Sequence, residues 1–191
     1  MIHRANIEHV NQIVDLHLRS LGSTPNSIVG RWLIHKLYLT VIKSRNVKVF
    51  IYEDYGKVLG FISVSNNLKE LSKQISRTLN FFDIFRIIFR LIQSPSALIA
   101  QLKHRLFKMY VDPLLPKTYM CILTIAVDEN YRRMKIGTKL IRQIDKLVVK
   151  RNPTIFVDTY TNNIKALDFY QKSGYQKVYT VFGNTLLEKK I

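Results

Sequence analysis

Val127-Asp128-Glu129-Asn130-Tyr131-Arg132-Arg133-Met134-Lys135-Ile136-Gly137-Thr138-Lys139-Leu140 is the stretch on which the reading of this chain turns. An apolar run, Ile122 to Val127, stops at the turn signal Asp128-Glu129-Asn130. A short basic loop carrying a glycine follows, and Ile136, Leu140, Ile141, Ile144, Leu147 and Val148 then recur at helical spacing. Strand, basic loop, helix is the order that points backbone N–H groups and the positive end of a helix at an anion. Arg132, Arg133 and Lys135 add formal charge to the loop, so a pyrophosphate suits it. Folding alone does not call for such a feature.

Working outward, 191 residues suit a single domain over 1–191 with room for a sizeable core. Hydrophobic content of 47% against 23% charged indicates a globular chain. One cysteine, Cys121, excludes an internal disulfide and a cysteine-based metal cluster, which points to a reducing compartment. Met1 to Glu8 lacks the apolar core of a secretory signal, and no run approaches the roughly 18 apolar residues of a membrane span. A cytoplasmic protein is expected. The net charge of +17 implies attraction to a polyanion: a phosphorylated cofactor, nucleic acid or an anionic membrane surface. A lysine-rich proteome gives the same number, because Lys and Arg are scattered. No nucleic-acid motif is visible, and nucleic acid is not expected as a partner.

In chain order, Ile7, Val10, Ile13, Val14, Leu16 and Leu18 mark an amphipathic helix from Asn6, its N-cap, to Ser20. Gly22-Ser23-Thr24-Pro25-Asn26 breaks it, and a second helix runs from Ser27 to Lys43 with Ile28, Val29, Trp32 and Leu33 on its apolar side. Val47 to Glu53 and Val58 to Val64 read as a hairpin closed by Asp54-Tyr55-Gly56-Lys57. From Tyr119 the pattern alternates: strand to Val127, helix Ile136 to Lys150 closed by Asn152-Pro153, strand Thr154 to Tyr160, and helix Asn163 to Ser173 ending at Gly174. Tyr175 to Val181 and Thr185 to Lys189 form a last hairpin around Gly183-Asn184.

Between the two regular regions, residues 66–118 read as a helical insertion. Leu68 to Leu79 is helix-compatible, Leu79 to Ile92 is dense in Phe and Ile, and Ser94-Pro95-Ser96 starts a helix over Ala97 to Met109. In the middle segment Asp83, Arg86, Arg90 and Gln93 fall at steps of three or four and make one narrow polar stripe. The block reads either as a cover packed on the sheet or on a second copy in a homodimer, or as an in-plane helix over 79–107 that lies on an anionic membrane with Arg86 and Arg90 toward headgroups.

Two segments taken together carry a resemblance. The first is Ile125-Ala126-Val127 with Arg132 to Leu140; the second is Val157-Asp158 with Asn163-Ile164-Lys165-Ala166-Leu167-Asp168-Phe169-Tyr170 and Gly174-Tyr175. They look like the acetyl-CoA-binding core of the GCN5-related N-acetyltransferases (GNAT superfamily). The resemblance is specific over Tyr119 to Tyr179, agrees in element order over the N-terminal third, and is absent over the insertion. It implies an α/β (α+β) fold with a mixed, mostly antiparallel sheet of six to seven strands, a splayed fourth and fifth strand, flanking helices, and the insertion between strands three and four.

By resemblance, Arg132, Arg133, Met134, Lys135, Ile136 and Gly137 fill the family's six-residue loop motif, with Thr138 next to it, and would hold the pyrophosphate of acetyl-CoA. Lys135 departs from the pattern, where the family has its first glycine. The side chain is read as tolerated, since backbone N–H groups do the cradling and only a left-handed φ strictly demands glycine. The main chain of Ile125, Ala126 and Val127 would hold the pantetheine arm, and the side chain of Asn163 would contact that arm or the pyrophosphate. Tyr170 would stand beside the sulfur, where a phenol can protonate a departing thiolate. Its bland reading is a core aromatic of the last helix. Asp158 is the candidate general base; its rival reading is a strand-end carboxylate paired with one of the many lysines. Glu53, Asp54, Glu70 and His104 are further contributors from the acceptor side.

Cys121 reads as a small buried core residue. His3, His9, His17, His35 and His104 lack metal-ligand spacing with partner carboxylates, so no metal is expected. The resemblance implies an acyltransferase in which a primary amine attacks acetyl-CoA directly. The insertion in place of a short substrate loop suggests a small-molecule acceptor of some bulk, such as an amino-sugar, nucleotide-linked or lipid-carried. A protein or peptide N-terminus or lysine is the rival acceptor. A protein without catalysis that senses CoA or docks on a membrane is the rival of another class.

Overall fold

The computed structural model describes residues 1–22, 30–147 and 154–191. Its sheet has seven strands: β1 (Ile2–Arg4), β2 (Val47–Asp54), β3 (Lys57–Ser65), β4 (Met120–Val127), β5 (Thr154–Tyr160), β6 (Gln176–Val181) and β7 (Asn184–Lys190), in the spatial order β1-β2-β3-β4-β5-β7-β6. Every neighbouring pair is antiparallel except β4 and β5, which run parallel. This is the mixed, mostly antiparallel α/β arrangement that the two motifs implied. β1 is an addition: residues 2–4 carry no strand pattern of their own, and they form one by pairing with Phe50 to Tyr52 of β2.

Alternation along the strands divides the core between two faces. Ile62 and Val64 of β3 and Ile155 and Val157 of β5 join α6 (Ile136–Asp145) and α7 (Ile164–Lys172) in one cluster. Phe61 of β3 and Val47, Val49 and Ile51 of β2 face the other way, against α1 (Val10–Leu21) and α2 (Arg31–Lys43). The expected first helix opens as a 3-10 turn over Ile7–His9, with Asn6 as N-cap and His9 returning the bond to the Asn6 N–H. The expected break at 22–26, the start of the second helix with Ile28 and Val29, and the helix end at Val148, Lys150 and Asn152-Pro153 lie wholly or in part outside the described residues.

The insertion folds as three helices, α3 (Leu68–Thr78), α4 (Phe81–Ile92) and α5 (Pro95–Val111). Leu71 and Ile75 of α3 join the α1–α2 cluster. Phe107 and Val111 of α5 pack on Phe156 and Leu186, so α5 covers the β5–β7 half of the sheet opposite α6 and α7. The reading of the insertion as a sheet cover therefore holds for α3 and α5 and fails for α4, none of whose side chains enters these clusters.

Candidate active site

The parallel ladder between β4 and β5 is short. It runs from Met120–Ile155 through Cys121–Phe156 to Ile122–Val157 and stops there. On the other edge of β4 the register to β3 shifts between Ser63–Thr124 and Val64–Ile122, which leaves Leu123 as a bulge. A bulge bends a strand and increases its local twist, and beyond it β4 continues with β3 while parting from β5. That divergence is the splay the resemblance implied. It leaves the ends of β4 (Ile125, Ala126, Val127) and of β5 (Asp158) on the two sides of one opening.

The basic loop closes the top of β4. Asp128 is buried, caps the 3-10 turn Glu129–Tyr131 through the Asn130 N–H, and pairs with Arg19 of α1 at 3.3 Å. Arg132, Arg133, Met134 and Lys135 follow, all exposed, and α6 begins at Ile136. The first intrahelical bond is Lys139 N–H to the Lys135 carbonyl, so the amides of Ile136, Gly137 and Thr138 stand outside the α-helical ladder, as helix starts require. Three such amides, two guanidiniums and the Lys135 ammonium make a donor set that fits a pyrophosphate.

Lys135 itself is the correction. Its backbone sits at φ 58°, ψ 17°, in the left-handed region, so the position does ask for the glycine that the family carries. Arg133, at φ 69°, shares the strain. Gly137 is favoured for a different reason: a Cβ there would lie 3.1 Å from the Phe169 ring of α7. The absence of that atom lets the start of α6 close against α7, and thereby brings Asn163 to the same end of the sheet. Asn163 caps α7, its Oδ1 accepting from the Ala166 N–H at 3.2 Å. Its carbonyl oxygen is thus engaged, and the amide NH2 is what remains for a ligand.

Tyr170 is buried, edge-on to Phe169 and Tyr175. Burial, with the Asp158 carboxylate and Cys121 nearby, holds its phenol well above the usual range, so it keeps its proton at neutral pH. Cys121 is buried and pushed up to about 12 for the same first reason, which removes it as a thiolate nucleophile. Asp158 is not free on its strand: Lys108 donates to it at 2.9 Å and His104 Nε2 lies 3.3 Å from its other oxygen. Burial alone would lower Lys108, but the adjacent carboxylate outweighs it and holds the ammonium above its ordinary value. Burial lowers His104 below its usual value despite the same carboxylate.

The lysine pairing weighed as the rival reading of Asp158 is present, but the sequence did not single out Lys108 as the partner. Lys108 lies 50 positions from Asp158, and no local spacing links α5 to β5. A second unforeseen set joins the helices to β4: His17 Nδ1 and the Tyr38 hydroxyl are 2.9 Å apart, and Tyr38 also bonds Thr124 at the splay. The exclusion of histidine–carboxylate clusters needs correcting too, because pairing of β1 with β2 brings His3 and His9 to Glu53, at 2.6 and 3.9 Å. His9 Nδ1 accepts from the Asn6 N–H, which places the neutral ring's proton on the nitrogen that faces Glu53. The cluster serves the start of α1 as a cap and a polar tie. Glu53 is thereby engaged by the two histidines.

The family model described as the Acetyltransferase (GNAT) family matches residues 13–175. The chain belongs to that family. Membership brings acyl transfer as the chemistry and acetyl-CoA as the donor, which the amides and cations of the loop fit. A 76-residue stretch, 39% of this chain, is 30% identical to N-alpha-acetyltransferase 30 of Dictyostelium discoideum; it spans 40% of that protein's length. Among solved structures, PaiA N-acetyltransferase of Thermoplasma acidophilum in complex with coenzyme A is similar at TM-score 0.63 and 15% identity, covering 100% of this chain and 98% of that one. Ribosomal-protein-alanine N-acetyltransferase of Brucella melitensis is similar at TM-score 0.60 and 13% identity, covering 100% and 99%. At those identities the structures speak for the fold.

Proposed function

We propose that residues 1–191 act as one acetyltransferase domain that moves an acetyl group from acetyl-CoA to a primary amine of a small molecule, an amino-sugar or nucleotide-linked amino-sugar. The thioester supplies an activated acyl group. Arg132, Arg133 and Lys135, with the amides of Met134, Ile136, Gly137 and Thr138, hold the pyrophosphate; the main chain of Ile125, Ala126 and Val127 and the amide of Asn163 hold the pantetheine arm. Tyr170, kept protonated, gives its proton to the departing sulfur. The Asp158–His104 pair takes the proton of the acceptor ammonium. Burial lowers His104 and so leaves its ring unprotonated and open to that proton, with Asp158 3.3 Å from Nε2.

One observation carries the choice of acceptor. Where a short loop would leave the opening clear, α5 sets Lys108 beside Asp158, so the acceptor meets a fixed cation next to the base. A phosphate-bearing amine suits that pair, and a lysine-rich protein tail does not. The match to N-alpha-acetyltransferase 30 favours a second reading, a protein or peptide N-terminus as acceptor, with Asp158 in the role of base. Isothermal titration tests the donor site: CoA binds, and absence of heat at millimolar CoA defeats the reading. Thiol release with acetyl-CoA then tests the acceptor. Turnover with amino-sugar nucleotides and none with peptide N-termini is expected, and the reverse selects the second reading. CoA binding without turnover on any amine would leave a CoA-sensing protein.

A further inference from the structure

We propose that the outward face of α4 and α5 seats this protein in the plane of an anionic lipid bilayer. α4 is turned the reverse of a cover helix. Its one buried side chain is a carboxylate, Asp83, which completes a capping box with Asn80 and accepts from the Lys36 ammonium. Seven of its twelve residues are large apolar side chains at least 48% exposed. α5 extends the surface: Leu98, Leu102, Leu106 and Met109 recur along one exposed stripe, while Phe107 and Val111 anchor the opposite face to the sheet. A helix that is apolar around most of its circumference is stable when covered, and a patch across two helices exceeds the scattered apolar exposure of ordinary surfaces.

Charge selects the cover. From Ile84 to Val111 the exposed Lys and Arg residues are Arg86, Arg90, Lys103 and Arg105, Lys108 being turned to Asp158, and the span holds no Asp or Glu. A two-fold dimer brings the same patch against itself, so these cations would face their own copies in a protein already at +17. An anionic bilayer meets them with the opposite sign. A cavity of about 350 Å³ opens in this surface between α2 and α4: Trp32, Phe85 and Phe89 wall it, and Arg86 and Arg90 line it. The Arg86 guanidinium lies 5.5 Å from the Trp32 ring. Two guanidiniums beside aromatic walls match a phosphate headgroup on an acyl stem. No helix among the described residues is long and apolar enough to cross a membrane, so the contact is in-plane. Because α5 also carries Lys108 and His104 to Asp158, a single helix then separates the bilayer from the acceptor side of the site.

The test is flotation of the full chain with phosphatidylcholine vesicles and with vesicles containing phosphatidylglycerol, at low ionic strength. The protein is expected to float with the anionic vesicles alone, and its bound fraction to fall roughly tenfold at high ionic strength. The double variant Phe85→Glu/Phe89→Glu should remain at the bottom while keeping the thermal melt and CoA titration of the parent. Arg86→Gln/Arg90→Gln should lose the anionic preference with the same fold readouts. Absence of flotation with anionic vesicles, or equal flotation with neutral ones, overturns the proposal. So does a dimer in sedimentation velocity that Phe85→Glu/Phe89→Glu dissociates, since a second copy would then be the cover. Thiol release from a soluble amine is read separately, so failure here leaves the acetyl-transfer reading standing.

Discussion

Lys135 is where the strain of the fold and the chemistry of the candidate site meet, and two substitutions separate them. An L-residue held in the left-handed region costs about 1–2 kcal/mol. Glycine avoids that cost but gives up about 0.5–1 kcal/mol of chain entropy relative to alanine. Lys135→Gly should therefore be about 0.5–1 kcal/mol more stable than Lys135→Ala, a gap of roughly 1–4 °C in melting temperature for a chain of this size. Neither variant keeps the ammonium. An exposed cation facing a phosphate contributes on the order of 0.5–1 kcal/mol, so both should bind CoA about two- to fivefold more weakly than the parent. Differential scanning calorimetry reads the first effect and isothermal titration the second. An alanine variant as stable as the glycine variant would refute the strained backbone at 135. A glycine variant that binds CoA more tightly than the parent would refute the role given to the ammonium.

Tyr170→Phe should lower turnover by about 10²- to 10⁴-fold, the range of a lost general acid, with CoA affinity unchanged in titration; undiminished thiol release would return Tyr170 to the core. Lys108→Met removes a cation that, after burial, helps hold His104 below its ordinary value, so pH–rate profiles should show the acidic limb displaced to higher pH, a displacement absent if Lys108 only pins α5 to the sheet. His17, lowered by burial to about 4, is neutral when folded and binds a proton only when unfolded between that value and 6.5. The unfolded state thus holds more protons in this window, so the stability His17 contributes is fully present above pH 6.5 and is lost as pH falls toward 4. Urea unfolding at pH 7 and pH 5 should show the parent losing about 2 kcal/mol more than His17→Asn; equal losses would show that His17 is not the group responsible. Asn163→Ala removes the α7 cap and should cost about 1 kcal/mol in the same assay.

Most of the fold was legible in local pattern. Apolar runs bounded by turn residues placed β2 to β7, helical spacing placed α1 and α6, and end signals such as Asn6, Asn163 and Gly174 fixed helix limits, because those signals depend on neighbours within a turn or two of chain. β1 was not legible, since three residues form a strand only where Phe50 to Tyr52 offer an edge. The basic loop and the Asn163–Tyr170 segment carried the resemblance to an acetyl-CoA-binding core because their spacing is set by contiguous backbone. The partners of Asp158 did not announce themselves: Lys108 and His104 reach it only after α5 crosses the sheet.

What the sequence determined by itself is therefore the family core and its basic loop, down to the lysine that stands at 135 in place of the family's glycine, since both are written in short-range order. What the tertiary structure alone decided is how positions far apart in the chain are turned. It put Lys135 at a positive φ, tied Asp158 to a cation 50 residues away, and turned the apolar side of α4 outward with Asp83 inward. The apolar stripe of a helix can be read from its spacing. Which way that stripe faces depends on everything packed around it, and here the Lys36–Asp83 pair holds Asp83 toward the body of the protein while Arg86 and Arg90 stay exposed.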